Sequence, residues 1–212
     1  MTAAPPSRAE KARRTRKRML DSAARLFTER GWAGTTVEHI ARAAEVGVQT
    51  VYFTFGNKRA LLKELLDTAV AGDSDPVATL DRAWAREVLD APDPAAQLAL
   101  QAAGARRVLE RAAPVLEVVR GAAASDPELA DLWRTNRAQR HTVQLCFAKA
   151  LADKAGRAGT GLRDGHDAAS AADVATALLG PETYGLLVGD RGWTPRRWEG
   201  WAADALVRQL LP

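Results

Sequence analysis

The chain has 212 residues, 47% of them hydrophobic, a single cysteine and a formal net charge of +4. That apolar share excludes a disordered polypeptide, one thiol excludes an intramolecular disulfide framework, and no run of cysteines and histidines has zinc-site spacing, so neither metal nor cofactor is expected. The basic N-terminus has no apolar run of signal-peptide length behind it and no later segment has membrane-spanning length, so the expected location is the cytoplasm.

Charge is unevenly placed. Residues 1–63 carry thirteen Lys or Arg against five Asp or Glu, a balance of +8 that leaves −4 for the remainder. Phosphate attraction follows local potential and not the total, so a polyanion would be met by the front of the chain. A merely solvated basic tail is the plain alternative.

Residues 1–13, with Pro5 and Pro6, read as a flexible basic arm, and order is expected from about Arg14. Leu20, Ala23, Ala24 and Phe27 then recur at helical spacing, with Gly31 as a stop. Thr35 followed by Glu38 reads as a capping box that opens a second helix, whose buried face would be Val37, Ile40, Ala41 and Ala44. After the interruption Glu45-Val46-Gly47, a short helix is expected from about Val48 to Phe55. Asn57 can cap the next one, striped by Leu61, Leu62, Leu65, Leu66 and Ala69. The breaker GDSDP, residues 72–76, separates 14–72 from a larger part, 73–212. There helical patterns cover about 77–90, 94–112, 114–123, 127–155, 167–179, 182–189 and 195–211, divided at Pro94, Pro114, Pro127, GRAGTGLRDG, Pro181 and GWTP. No segment alternates with period two. The expected fold class is all-α, a three-helix N-terminal module followed by a larger helical domain.

Two short helices joined by a tight turn make a helix-turn-helix, whose second helix lies in the major groove of DNA. In the stretch AAEVGVQTVYFTFGNK, Val48, Val51, Tyr52 and Phe55 turn partly inward and leave Gln49, Thr50, Phe53 and Thr54 outward. Scarcity of charge suits a face that hydrogen-bonds bases and meets thymine methyls while neighbours attract phosphate. Gln49 can donate to and accept from adenine; Thr50 and Tyr52 offer hydroxyls to phosphate oxygens. Gly47 opens the helix, Lys58 supplies an ammonium near the next helix start, and Thr35 and Thr36 flank the start of helix two. Arg14 and Lys17, within KARRTRKR (residues 11–18), would follow the backbone or enter an adjacent minor groove. Each of these residues alone has a structural use; their co-occurrence carries the reading.

The segment LFTERGWAGTTVEHIARAAEVGVQTVYFTFGNKRALL, residues 26–62, resembles the DNA-binding domain of TetR-family transcriptional regulators. The shared elements are Phe27 and Gly31 at the end of helix one, TTV, Ile40-Ala41, TVY followed by Phe55, and Lys58 before Ala60-Leu61-Leu62. The resemblance implies a homodimer on a roughly palindromic double-stranded operator. It also implies a C-terminal domain that holds a small-molecule effector, usually in a repressor released by it. Two positions depart from the pattern: Glu45 stands where glycine is typical, and Gly47 where a capping serine is common. The bend is expected to persist by moving the special backbone conformation to another residue. From the family also come a dimer interface in the last two long helices, with Val174, Ala177, Leu178, Leu187, Trp198, Trp201, Ala205 and Leu206 among their apolar positions, and a cavity among the central helices. Trp84, Trp133, Arg137, His141, Phe147 and Tyr184 are the candidates for its walls, and Trp133, Arg137 and His141 share one helical face.

Two other classes stay open at this level. An enzyme would need a site assembled from distant residues, since no HExxH, phosphate-binding glycine motif or activated nucleophile is legible and His39, His141 and His166 are far apart. An architectural DNA-binding protein would share the basic front but lack preference among sequences.

Overall fold

Ser7 starts the first helix through a reciprocal cap: its hydroxyl accepts from the Glu10 amide, and the Glu10 carboxylate accepts from the Ser7 amide at 2.7 Å. The computed structural model describes residues 7–73, 75 and 77–212. Residues 1–6, the start of the expected arm, lie outside them. From Arg8 to Arg13 the expected arm is helix and not a flexible segment. α1 spans Arg8–Gly34, but Gly31, at φ 69° and ψ −179°, is non-helical and breaks it, the stop expected there, with a last short turn beyond. Met19, Leu20, Ala23, Leu26 and Phe27 form its buried stripe.

α2 (Val37–Ala43) is capped by Thr36, whose hydroxyl accepts from the His39 amide at 3.2 Å. The cap expected at Thr35 therefore falls one residue later, as a single bond and not the reciprocal box expected with Glu38. The Thr35 hydroxyl instead donates to the Leu26 carbonyl at 2.9 Å, and Thr35 is fully buried. Val37, Ile40, Ala41 and Ala44 are buried as their spacing predicts. α3 (Val48–Phe55) and α4 (Lys58–Ala71) follow, with the Asn57 side chain accepting from the Ala60 amide at 2.8 Å.

Beyond α4 come a 3₁₀ turn (Thr79–Asp81), α5 (Ala83–Leu89), α6 (Pro94–Ala122), α7 (Pro127–Arg157), α8 (Ala168–Leu178), α9 (Pro181–Tyr184), a π-helical stretch (Gly185–Asp190) and α10 (Pro195–Leu210). Among the described residues there is no strand, and no helix is long and apolar enough to cross a membrane. Pro114 does not divide its segment as expected; α6 continues through it. A proline costs one backbone hydrogen bond and crowds the preceding turn, but Ala112, Ala113, Val115, Leu116 and Val119 on either side are buried and keep the helix in place. The pattern over 182–189 likewise becomes one α turn and a π stretch with glycines at 185 and 189.

Two compact units emerge, one of Met1–Thr68 with Pro114–Trp133 and the other of Ala69–Ala113 with Arg134–Pro212. In the second, one apolar cluster joins Leu98, Ala102 and Leu109 of α6 to Leu151 of α7, Ala171 and Ala175 of α8, Tyr184, and Trp198, Ala202 and Leu206 of α10. Small alanines on α8 let α10 pack closely against it. A smaller cluster holds Ala85, Val88 and Phe147, with Trp84 against it. Most polar groups that enter this interior find partners, as burial demands, the buried Trp198 Nε1 being an exception among the described residues. The Lys154 ammonium donates to the Leu89 carbonyl at 2.6 Å and to Gln97 Oε1 at 2.8 Å, while Gln97 Nε2 donates to the Phe147 carbonyl. The Trp84 ring lies on the backbone at Gly104, where an added Cβ would come within 2.5 Å of it. Gly104→Ala is expected to destabilise the protein by about 1–3 kcal/mol through this overpacking, read as a lower urea midpoint at unchanged slope.

Candidate nucleic-acid interface

Successive residues on a helix turn by about 100°, which sorts the eight residues of α3 into two sides. Val51 and Phe55 are buried and Val48 half-buried, whereas Gln49, Thr50 and Phe53 share the opposite arc and are exposed, with Tyr52 exposed on the flank. Phe53 is 93% accessible and Tyr52 41%. A phenyl ring so exposed on a helix carrying no charge is the strongest single feature of this surface. Tyr52, one turn from half-buried Val48, lies between the two sides, as its partly inward position predicts.

The start of α3 is open. Gly47 is its N-cap at φ −68°, ψ 146°, and no side chain caps it. Its first amides are thus available to an anion. The bend before it is made by Glu45 itself, at φ 53°. The special conformation has not moved to Gly47, contrary to expectation, and a side chain in the left-handed region costs about 1–2 kcal/mol. The Glu45 carboxylate is exposed and 4.0 Å from Arg18, a weak surface contact.

The far end of α3 is closed by the Gly56 amide, which donates to the Tyr52 carbonyl at 2.8 Å. Two basic residues then lock α4. Lys58 Nζ donates to the Trp32 carbonyl at 2.5 Å and lies 3.9 Å from the centroid of the Trp32 ring, itself stacked on Phe27. Burial lowers the Lys58 pKa below the ordinary lysine value. The ammonium expected to meet phosphate is therefore committed to the end of α1. Arg59 reaches Asp126, with Nε 2.8 Å from Oδ2 and 3.1 Å from Oδ1, and Glu128 at 3.3 Å. Asp126 also accepts from the Glu128 and Leu129 amides at the start of α7. Burial opposes the charge on Asp126, but the Arg59 bonds and these amides outweigh it and hold its carboxyl below the ordinary value of 3.8. A further clamp joins Arg16 to both oxygens of Glu64, with the Arg16 guanidinium 4.9 Å from the Phe55 ring centroid. Sequence reasoning missed Arg16 and Arg59, whose partners lie 48 and 67 residues away and leave no local signal.

Of the remaining candidates, Thr36 is exposed with its hydroxyl capping α2, and Thr35 is sealed inside and unable to meet a phosphate. Lys17 pairs with Asp21 one turn on. Arg14 is exposed, has no ion pair among the described residues, and with Arg13 helps to lower the Glu10 pKa, after the Ser7 bonds that dominate.

The six cavity candidates do not converge. Trp84 and Phe147 meet edge to face at 6.0 Å in the smaller cluster, while Tyr184 is buried in the larger one against Trp198, 5.1 Å away. His141 lies 3.3 Å from the Thr176 hydroxyl and 3.8 Å from Asp173. Arg137 is exposed and Trp133 belongs to the first unit.

A short helix with a polar and aromatic outer face, held at the end of a tight two-helix turn, defines a helix-turn-helix DNA-binding protein. The family model for bacterial regulatory proteins of the tetR family matches residues 19–65. The chain is 30% identical over 174 residues to YdeS, an uncharacterized HTH-type transcriptional regulator of Bacillus subtilis, an alignment spanning 82% of this chain and 79% of that one. In fold it is similar to a transcriptional regulator from Saccharomonospora viridis solved with choline, at TM-score 0.69 and 20% identity over 94% of this chain and 99% of the other. It is also similar to NalD of Pseudomonas aeruginosa, the secondary repressor of the MexAB-OprM multidrug efflux pump, at TM-score 0.68 and 21% identity over 94% and 98%. The chain belongs to the TetR family and is a transcriptional regulator, not an enzyme.

Glu45→Gly is expected to stabilise the protein by roughly 0.5–1 kcal/mol, since relief of the left-handed strain exceeds the added freedom of the unfolded chain; chemical denaturation reads it. For Asp126, a depressed folded pKa means that its stabilisation is complete above 3.8 and is lost as pH falls through the folded value. Asp126→Asn should lower the melting temperature at pH 7 and flatten its fall in acid.

Proposed function

We propose that the protein is a homodimeric repressor that grips a roughly palindromic operator with two copies of α3 and is released by a small-molecule ligand. In this reading residues 14–72 bind DNA, residues 73–212 hold the ligand and the dimer contact, and the protein works in the cytoplasm. The observation that carries it is the uncharged outer arc of α3, with Gln49, Thr50, Tyr52 and Phe53 exposed while Val51 and Phe55 anchor the helix. Gln49 reads a base edge, Phe53 meets thymine methyls, and Thr50 and Tyr52 bond phosphate oxygens. Gly47 lets the backbone approach, Thr36 sits beside the phosphates, and Arg14 and Lys17 attract the duplex. Lys58 acts by holding α4 in place.

Family membership supports the twofold assembly, and repression and ligand release are supported by what is said of NalD and by the choline bound to the Saccharomonospora regulator. The dimer surface is narrower than the apolar pattern of the last helices implied. Trp198 and Leu206 are sealed in the chain's own core, which leaves Val174, Ala177, Leu178, Leu187, Trp201 and Ala205 as the positions with accessible surface. For the ligand, Arg137 and His141 remain the accessible polar candidates, and Trp84 and Trp133 the half-buried aromatic ones.

Selection of bound sequences from random duplex, followed by titration of the selected site, tests the reading. Gln49→Ala is expected to cost about 1–3 kcal/mol on the selected site and little on random duplex. Arg14→Ala should weaken both alike and reduce the salt slope by about one. Equal loss on every sequence for both variants would leave a nonspecific DNA-binding protein.

A further inference from the structure

We propose that an open groove at the C-terminal end of α4 binds an organic anion with an apolar body, a carboxylate carried on a ring or chain. The inference rests on the ligand-released reading above and gives that ligand a chemistry and a place. The groove has a volume of about 570 Å³ and is lined entirely by residues of the second unit. That is ample for a drug-sized acid.

Its floor is built around Arg111 of α6. The guanidinium donates to the Ala69 and Val70 carbonyls at 3.2 and 3.4 Å, which caps α4, and to the Arg107 carbonyl at 2.7 Å. Gly72, at φ 88°, makes this approach possible, because a Cβ there would lie 2.9 Å from the guanidinium. Arg111 has three carbonyls but no carboxylate in an ion pair among the described residues. Burial and the neighbouring Arg82 push its pKa below the ordinary arginine value.

Three arginines and three carboxylates line the groove, and they are unevenly paired. Arg82 is bound to Asp73, with bonds of 2.7 and 3.1 Å, and Asp81 faces Arg86, outside the lining, at 3.9 Å. Among the described residues Arg107 has no ion pair, so Arg107 and Arg111 are the lining guanidinium groups without a bonded carboxylate, and Glu87 is the lining carboxylate without an ion pair. Trp84 and Val108 add an apolar wall, and the ring of Trp84 lies close against Gly104. A capping role explains Arg111 but not Arg107, and Trp84 lines the groove as well as packing on Gly104 and Phe147. A carboxylate between the two arginines, with its apolar body on Trp84, uses all three. It would also compete for the guanidinium that holds the end of α4, the helix that begins at Lys58, just after α3.

Calorimetric titration of the full chain with decanoate and with 4-phenylbutyrate, each against its neutral amide, tests the site. At least one acid is expected to bind saturably, at least tenfold more tightly than its amide. Arg107→Glu, a surface change, should abolish that binding, and Arg111→Gln, checked for native circular dichroism, should weaken it tenfold or more. Absence of binding by both acids, equal binding of acid and amide, or full binding by Arg107→Glu overturns the proposal. The same protein titrated with its selected DNA separates the two readings: sequence preference without acid binding removes only the groove, and acid binding without sequence preference removes only the regulator described above.

Discussion

Isolated helices shorter than about 12–15 residues are marginal in water, and α3 has eight residues with only Val51 and Phe55 buried. Two such side chains contribute about 1.5–3 kcal/mol each, while ordering each backbone residue costs about 1–2 kcal/mol. The helix that must present a face to solvent therefore cannot hold itself. Its neighbours hold it: α2 through the turn at Glu45, Asn57 at the head of α4, Lys58 on Trp32, Arg16 on Glu64 and Arg59 on Asp126. This division of labour explains why several basic residues that would suit a polyanion are engaged by the protein's own carbonyls and carboxylates instead. The charge of the first 63 residues is not a uniform attractive surface; much of it is mortar.

What was legible in the sequence was what depends on near neighbours. The limits of α3, the buried faces of α2 and α4 and the cap at Asn57 all follow from residues within one or two turns. Where two adjacent residues were chemically alike, as at Thr35 and Thr36, only the tertiary acceptor decided: the carbonyl of Leu26, nine residues back, claims Thr35 and leaves Thr36 to cap. Pro114 shows the opposite failure, a strong local signal overridden by burial on both sides. Spacing put Trp133, Arg137 and His141 on one helical face, but spacing along a helix does not say what that face meets. Packing sends Trp84 and Phe147 to one cluster and Tyr184 to another. Arg59 and Asp126 could not be paired by any local rule.

The second unit follows a different economy. Its elements meet through small residues on α8 and large ones on α10, and Lys154 and Gln97 are partnered inside it. Such a core tolerates wide sequence change provided volume and pattern persist. This accounts for a fold retained with a regulator only 20% identical to it.

The continuity of α1 from Arg8 into the three-helix module has a steric corollary. An α-helix with its side chains is about 10–12 Å across, and the minor groove of B-form DNA is only about 6 Å wide. A pliant ribbon of arginines could thread that slot, but Arg8 to Arg18 wound as a rod cannot. Entry of these residues into such a slot would require this part of α1 to unwind and Arg16 to leave Glu64.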